Sequence, residues 1–224
     1  MNEQRSEGWF QERLGCVTGS VISEMMAKPT RGKAEATSRR NLKARLVVEL
    51  LKGKPVEGWS YRSWDMQRGE QLEPEARMAY ELKTGEETAS VGFILHATIP
   101  RFGATPDALI GSDGILEIKC PKAAIHMDYI LAGVLPSEYR PQVMAELACS
   151  GKAWCDFVSY HPEMPPHLQL FICRVQRDDI LIAEIEAEVI KFNVEVDDII
   201  SKLPKATARA ETLTVADMGD NRGL

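Results

Sequence analysis

Hydrophobic residues recur at helical spacing through the first third of the chain, between short polar turns. This pattern predicts a short helix near 9–14, a second one opening at Thr18 or Ser20, and longer helices over 36–52 and about 63–83. Pro74 lies inside the last of these. Because proline lacks a backbone N–H and clashes with the preceding turn, we expect it to bend or split this helix near Glu73.

Strand-like runs rich in β-branched and aromatic residues follow, separated by turn residues. They cover 90–99, 104–110, 114–120, 153–161 and 168–175. Helical spacing returns over 123–132, 137–149 and 178–203. The order of elements predicts an α/β fold with a mixed central β-sheet flanked by helices. We expect one domain over 1–224, with a polar tail at about 204–224.

The composition is that of an ordinary globular chain, with 44% hydrophobic and 27% charged residues. No apolar run approaches the roughly 20 residues that cross a bilayer, and the N-terminus lacks the apolar stretch of a signal peptide. We therefore expect no membrane partner and a cytoplasmic location. The five cysteines form no CxxC pair, which argues against a disulfide framework, a structural zinc or an iron–sulfur cluster.

The formal net charge of −6 conceals an uneven distribution. Residues 28–45 carry seven basic side chains and one acidic one, whereas 178–224 carry eleven acidic and five basic ones. We expect the basic segment to face DNA and the acidic segment to lie on the far side. The alternative interpretation is a solvated basic helix face.

Three residues in the strand-like middle of the chain carry candidate chemistry for phosphodiester hydrolysis. Asp107 follows a proline, and Glu117 and Lys119 lie two positions apart in the run GILEIKC. Because positions i and i+2 of a strand share a face, Glu117 and Lys119 are expected to point together. Carboxylates hold Mg²⁺, which activates water and neutralises transition-state charge, while a lysine orients or deprotonates that water. The carbonyl of Ile118 is a further potential ligand.

The turn residues GSDG, at 111–114, predict that the runs on either side form a β-hairpin. A four-residue loop would place Asp107 opposite Ile118, on the wrong face. A three-residue loop, a five-residue loop or a bulge would bring Asp107 to the side of Glu117, and we expect one of these. The competing interpretation is an ordinary surface hairpin with a cross-strand ion pair.

The segment TPDALIGSDGILEIKCP resembles the core of PD-(D/E)XK nucleases. More specifically, the chain resembles the phage lambda exonuclease family, also called YqaJ-like viral recombinases. Four further blocks occur in the family's order: WFQERLGCVTGS, AKPTRGK, RGEQLEPEAR and EYRPQVMAEL. With the core segment they span about 9–160, and together they are far more specific than the core motif. The resemblance implies the restriction-endonuclease-like fold of this superfamily.

The resemblance also implies roles for individual residues. Asp107 and Glu117 would be metal ligands together with the Ile118 carbonyl, and Lys119 would assist the nucleophilic water. The remaining implied residues are Glu73, which completes or orients the metal site; Gln142 and Tyr139, on a helix against it; Arg13, Ser20 and Thr105, at a terminal 5′-phosphate; and Arg31 and Lys33, against the duplex. Two departures from the family pattern are Arg31, displaced by one position, and Pro74, directly after Glu73.

The activity implied by the resemblance is that of a Mg²⁺-dependent 5′→3′ exonuclease, with two ions and with Mn²⁺ able to substitute. It would degrade one strand of linear double-stranded DNA from 5′-phosphorylated ends and leave 3′ overhangs for phage-type recombination by strand annealing. The implied assembly is a homotrimeric ring around DNA, with a single-strand annealing protein as partner. Two alternatives are a restriction-type or structure-specific endonuclease on the same core, and a catalytically silent DNA-binding module.

Overall fold

The computed structural model describes residues 2–30, 32, 34–56 and 64–204, the last range without the side chains of 64–66. The predicted DNA contacts Arg31 and Lys33 lie outside these residues, as does the tail from 205 onward. Among the described residues, no helix is both long enough and apolar enough to cross a membrane.

Seven α-helices are present in the described part of the chain. They are α1 (Glu7–Glu12), α2 (Ile22–Met25), α3 (Thr37–Lys52), α4 (Trp64–Thr84), α5 (Ala123–Ala132), α6 (Arg140–Ser150) and α7 (Asp179–Lys202). Short 3₁₀ turns at Gly19–Val21 and Ser137–Tyr139 lead into α2 and α6. The end of α3 follows from its sequence, because Gly53 adopts the left-handed conformation with φ of 63° and its N–H donates to the Glu49 carbonyl.

Helix α4 corrects one expectation. It runs as one helix from Trp64 to Thr84 with Pro74 inside, so the helix is not split near Glu73, and the bend stays a prediction. Ala76 and Tyr80, which lie after the proline, are fully buried against the sheet. The free energy gained by burying these two side chains offsets the roughly 3 kcal/mol that a proline costs in a helix interior.

Within the described ranges, eight strands form two sheets. They are β1 (Val17–Thr18), β2 (Thr88–Ala89), β3 (Ile94–Leu95), β4 (Phe102–Ala104), β5 (Ala108–Ile110), β6 (Gly114–Lys119), β7 (Trp154–Tyr160) and β8 (Leu170–Gln176). The larger sheet has the order β2-β5-β6-β7-β8, with β6 and β7 parallel and the other pairs antiparallel. This sheet and its helices confirm the predicted mixed sheet flanked by helices.

The smaller sheet, β1-β4-β3, was not expected from the sequence. Its strand β1 is parallel to β4, with Val17 paired to Phe102. The predicted strand over 90–99 is mostly wrong, because only Ile94 and Leu95 pair with a neighbour. Phe93 is nevertheless buried, so hydrophobicity there reflects packing without strand pairing.

Side chains of β6 alternate between two hydrophobic clusters. Ile115 packs on one face with residues of α2, α3, α6 and α7. Leu116 and Ile118 pack on the other face against Ala76 and Tyr80 of α4. This alternation sends Glu117 and Lys119 toward the α6 side of the sheet.

Part of the basic segment 28–45 is paired with acidic residues. Arg39 of α3 is buried and its Nη2 lies 2.9 Å from Glu195 of α7. Lys43 lies 2.6 Å from Glu195 and 2.7 Å from Glu35. The expected separation of basic and acidic surfaces is therefore wrong for these residues, because α3 packs against α7 and their opposite charges neutralise each other.

Candidate active site

The β5–β6 hairpin aligns the two candidate metal-binding carboxylates. Ile110 pairs with Gly114, which leaves a three-residue loop over 111–113. This loop is one of the three predicted solutions. Extending the register from Ala108, which pairs with Leu116, places Asp107 opposite Glu117. The two residues are thereby brought to the same face of the hairpin.

Asp107 is held by the backbone of the neighbouring strand. Its N–H donates to the Leu116 carbonyl at 3.0 Å, and its Oδ2 accepts from the Ile118 N–H at 2.6 Å. The pKa of Asp107 is raised well above its ordinary value, first because burial disfavours the carboxylate and then because the Glu117 and Glu73 carboxylates repel it. The protein alone leaves this negative charge incompletely compensated.

Glu117 is the buried centre of a hydrogen-bonded group. Its side chain is 2% exposed, and its Oε1 lies 2.5 Å from Lys119 Nζ and 2.6 Å from Gln142 Nε2. The Gln142 Oε1 faces Lys119 Nζ at 3.5 Å. Burial alone would lower the pKa of Lys119, but the carboxylates of Glu117 and Asp107 outweigh this effect and raise it. Lys119 is therefore a cation in this arrangement.

Glu146 joins this group from the next turn of α6, although sequence reasoning did not select it. The Gln142 Nε2 donates to Glu146 Oε1 at 2.9 Å. Glu146 is 1% exposed, and its Oε2 has no hydrogen-bond partner among the described residues. Burial, followed by repulsion from Glu117, raises its pKa well above the ordinary value. The available signal was its position four residues after Gln142, within the apolar stretch VMAELAC.

A cavity of about 460 Å³ lies beside Asp107 and Lys119. Its lining includes Glu73, Asp107, Ile118, Lys119 and Tyr139. The Lys119 Nζ lies 5.0 Å from the centroid of the Tyr139 ring, within range of a cation–π contact. The structure thus brings these sequence-selected residues to one concave surface, and Glu117 and Gln142 are joined to it through Lys119.

Glu73 has a partner that the sequence did not indicate. The Arg5 Nη2 lies 2.6 Å from Glu73 Oε2, across 68 positions of the chain. Arg5 has a φ of 67°, which is uncommon for a residue with a side chain. Neighbouring Gln4 anchors this segment by donating from Nε2 to the carbonyls of Val91, at 2.9 Å, and Pro106, at 3.0 Å.

The oxygen atoms of Asp107 and Glu117 are donors that suit a hard divalent cation. Among the described residues, no three His, Cys, Asp or Glu side chains form a ready metal cluster. Mg²⁺, however, is bound through one or two carboxylates and keeps several waters. Asp107 and Glu117 meet that need, and the uncompensated charge on Asp107 favours a cation there. The donor set consists of oxygen atoms, so it fits Mg²⁺ or Mn²⁺ better than a soft metal.

Two of the predicted phosphate-binding residues, Arg13 and Thr105, form a second group, and Thr105 lies two positions before Asp107. The half-buried guanidinium of Arg13 lies 4.0 Å from the centroid of the Trp9 ring, and its Nη1 donates to Thr105 Oγ1 at 3.1 Å. The Trp9 Nε1 donates to the same oxygen at 3.2 Å. Burial lowers the pKa of Arg13 to about 10, so the side chain remains charged near neutral pH.

Ser20 lies in the 3₁₀ turn that leads into α2, and its side chain is exposed. Its Oγ is 3.2 Å from Thr18 Oγ1. The preceding Gly19 packs against α6, since a Cβ added there would lie 3.5 Å from Glu146 Cγ. The turn that bears Ser20 is therefore in contact with the helix that bears Gln142.

Known proteins are similar to this chain in sequence and in fold. A family model described as a YqaJ-like viral recombinase domain matches residues 8–153. The solved structure of an alkaline exonuclease, LHK-Exo, from Laribacter hongkongensis is 43% identical, with a TM-score of 0.80, over 88% of this chain and 95% of that chain. A structure of LHK-Exo in complex with dAMP gives the same values.

A more distant similarity concerns the fold alone. A phage-related exonuclease from Haemophilus somnus 129PT is 16% identical, with a TM-score of 0.62, over 84% of this chain and 96% of that chain. No curated protein sequence matches the chain significantly.

Proposed function

Because the chain belongs to the family of YqaJ-like viral recombinase domains, we propose that it is a Mg²⁺-dependent 5′→3′ exonuclease acting on linear double-stranded DNA. It would start at 5′-phosphorylated ends, release mononucleotides and leave 3′ overhangs. The identity of 43% to an alkaline exonuclease supports the DNA exonuclease activity. The dAMP bound to that relative is a deoxynucleoside monophosphate, the kind of product that stepwise removal yields.

The proposed 5′ polarity rests on one observation, the contacts of the Arg13 guanidinium. Its guanidinium donates to Thr105, two residues before Asp107, and forms no ion pair with a carboxylate of the described residues. A partly desolvated cation without an anion favours binding a phosphate, and a guanidinium can contact it in bidentate fashion. We assign Arg13, Thr105 and the exposed hydroxyl of Ser20 to a terminal 5′-phosphate beside the hydrolytic residues.

The hydrolytic step is assigned to the hairpin and α6. Asp107 and Glu117, with the Ile118 carbonyl, would hold Mg²⁺, which supplies an activated water and neutralises charge on the scissile phosphate. The Lys119 ammonium would orient that water and stabilise the developing negative charge. Gln142 keeps the Glu117 carboxylate in place through its 2.6 Å hydrogen bond.

The cellular role proposed here is phage-type recombination by strand annealing. A single-strand annealing protein would bind the 3′ overhang that the exonuclease exposes. The enzyme would work as a ring-shaped homotrimer around DNA, with a solution mass three times that of the 25.0 kDa chain. A ring would keep the enzyme on its substrate between successive cleavages without tight binding at any single contact.

The proposal is tested by digesting linear duplex DNA with and without a 5′-phosphate, in the presence of Mg²⁺, beside nicked and covalently closed circles. We expect rapid loss of the phosphorylated strand, with mononucleotide products and an intact complementary strand. Arg13→Ala should selectively remove the preference for phosphorylated ends. Lys202→Ala, which removes a positive charge at the end of α7, is the control for a general charge effect.

Three other results would contradict parts of the proposed function. Cleavage of the closed circle would identify an endonuclease. Equal rates on phosphorylated and unphosphorylated ends in the wild-type protein would contradict the role given to Arg13. Binding of DNA without Mg²⁺-dependent digestion would indicate a catalytically silent module.

A further inference from the structure

Glu146 is a buried carboxylate for which the proposed cleavage chemistry has no direct use. It is 1% exposed, lies on α6 one turn after Gln142, and has one oxygen without a partner among the described residues. Burying a carboxylate with an unsatisfied oxygen is costly. A residue that costs stability in this way is a candidate for a functional role.

Hydrogen bonding connects Glu146 to the candidate metal ligand through one side chain. The Gln142 amide nitrogen has two hydrogens, and its contacts are Glu117 Oε1 at 2.6 Å and Glu146 Oε1 at 2.9 Å. The Gln142 oxygen, on the other end of the amide, faces Lys119. With both hydrogens and the oxygen engaged, the amide has one orientation that satisfies all three neighbours.

The Glu146 side chain is itself confined. A Cβ added at Gly19 would lie 3.5 Å from Glu146 Cγ and 3.7 Å from its Oε1, so the 3₁₀ turn closes over this side chain. Glu146 therefore lies between that turn and Gln142 and cannot easily rotate away. The same turn carries Ser20, the residue assigned to the 5′-phosphate.

We propose that Glu146 is a positioning residue: it accepts a hydrogen bond from Gln142 Nε2 and so fixes the Gln142 amide, which in turn orients Glu117 and Lys119. This inference rests on the proposed nuclease function of the same site. Glu146 does not touch the reacting atoms, and its effect passes through Gln142. Its required property is an oxygen that accepts from Gln142 Nε2, so a neutral amide at this position serves as well as a carboxylate.

Two substitutions separate this role from a structural one. Glu146→Leu keeps similar volume but removes the acceptor. We expect its kcat on 5′-phosphorylated linear duplex to fall at least about tenfold, equivalent to ~1.4 kcal/mol of activation free energy. KM should stay within about twofold, because the DNA-end contacts are unchanged. The melting temperature should equal or exceed that of the wild type, because a poorly satisfied buried carboxylate has been replaced by an apolar side chain.

Glu146→Gln is the conservative variant. Its amide oxygen accepts from Gln142, so we expect kcat within about threefold of the wild-type value. The matched control is Asp156→Asn, since Asp156 is also a buried carboxylate but is fully paired with Arg174, at 2.8 Å, and Tyr80, at 2.7 Å, on the opposite face of the sheet. That control should lower the melting temperature and leave kcat unchanged at temperatures well below it.

A measurement without DNA makes the inference independent of activity. Mg²⁺ raises the melting temperature of a protein that binds it in the folded state. This rise should be smaller in Glu146→Leu than in the wild type or Glu146→Gln, because Glu117 is less well oriented. An inactive wild type would refute the proposed function, whereas the Mg²⁺-dependent shift would still test the role of Glu146.

Three results would overturn the inference. The first is wild-type kcat and an undiminished Mg²⁺ shift in Glu146→Leu. The second is a lower melting temperature in Glu146→Leu with kcat restored on cooling, which would indicate a structural role. The third is a Glu146→Gln variant as impaired as Glu146→Leu, which would show that the carboxylate itself is needed.

Discussion

The Asp107 carboxylate and the Ile118 backbone N–H are joined by a hydrogen bond of 2.6 Å across the β5–β6 hairpin. This contact orients the carboxylate through backbone geometry, without a neighbouring side chain. The strand that fixes Asp107 is the strand that carries Glu117 and Lys119. The relative position of these three residues is therefore a property of one hairpin.

Asp107→Asn separates the structural contact from the chemistry. The amide oxygen can still accept from Ile118, so the hairpin should persist, whereas the negative charge is lost. We expect Mg²⁺-dependent digestion to fall by at least about 100-fold. Loss of a direct metal ligand should cost at least as much as loss of an outer-shell partner, for which about 100-fold is the upper end. Without metal, the melting temperature should not fall, because a poorly compensated buried charge has been removed.

The measurement pairs nuclease assays with melting curves at increasing Mg²⁺ concentration. Mg²⁺ should stabilise the wild type more than Asp107→Asn, and a chelator should reverse that difference. Equal stabilisation of both proteins would argue against Asp107 as a ligand.

The Arg5–Glu73 ion pair lies at the edge of the same cavity, with side chains 42% and 23% exposed. Such exposed pairs contribute at most about 1 kcal/mol to stability. We expect Arg5→Ala to change the melting temperature little but to lower kcat about two- to tenfold, because Glu73 loses the group that directs it.

A double-mutant cycle provides the test. Arg5→Ala should have little further effect on kcat in a Glu73→Ala background, and Arg5→Lys should restore part of the rate in the wild-type background. Equal effects of Arg5→Ala in both backgrounds would mean that the two residues act independently.

Gly114 begins β6 at a place where no side chain fits. A Cβ there would lie 2.4 Å from the Trp154 ring. Gly114→Ala should destabilise the protein by about 1–3 kcal/mol, as overpacking does. Because the displaced hairpin carries Asp107 and Glu117, digestion should also slow. Denaturant unfolding provides the measurement, and Gly69→Ala is the control, since a Cβ there meets nothing within 4 Å and favours the surrounding helix α4.

Because His161 is buried, we expect the free energy of unfolding to fall in mild acid. The Nδ1 of this side chain has no partner among the described residues, and burial followed by nearby Arg68 lowers the pKa of His161 below the ordinary 6.5. Between these two pKa values the unfolded chain binds more protons than the folded one. Stability therefore falls as pH drops through 6.5 and does not fall further below the folded-state pKa.

Melting curves between about pH 7.5 and pH 5.5 measure this effect, because histidine titrates in that range. His161→Gln should flatten the pH dependence, whereas substituting the exposed His167 should leave it unchanged. A pH dependence identical in His161→Gln and the wild type would contradict the prediction.

Local rules account for the parts of the fold that the sequence predicted well. The three-residue loop and the alternation of β6 follow from turn residues and strand periodicity, and together they place Asp107 beside Glu117. The end of α3 follows from Gly53. The same rules failed over 90–99, because the hydrophobic residues there are buried while only Ile94 and Leu95 find a strand to pair with.

Contacts between distant parts of the chain escaped sequence reasoning. Arg5 meets Glu73 across 68 positions, and Arg39 meets Glu195 across 156. No local pattern encodes which opposite charges will meet when helices pack. The interpretation of 28–45 as uniformly DNA-facing failed for this reason.

The parallel pairing of β6 with β7 has a consequence for the order in which the enzyme is made. Strand β7 and helix α6 both follow β6 in the chain, so a ribosome synthesises Asp107, Glu117 and Lys119 before the elements that support them. Parallel strands need a long crossover before they can pair, and such non-local contacts form slowly. A nascent chain would therefore carry these candidate side chains without their supporting contacts until α6 and β7 have been synthesised and have packed beside β6.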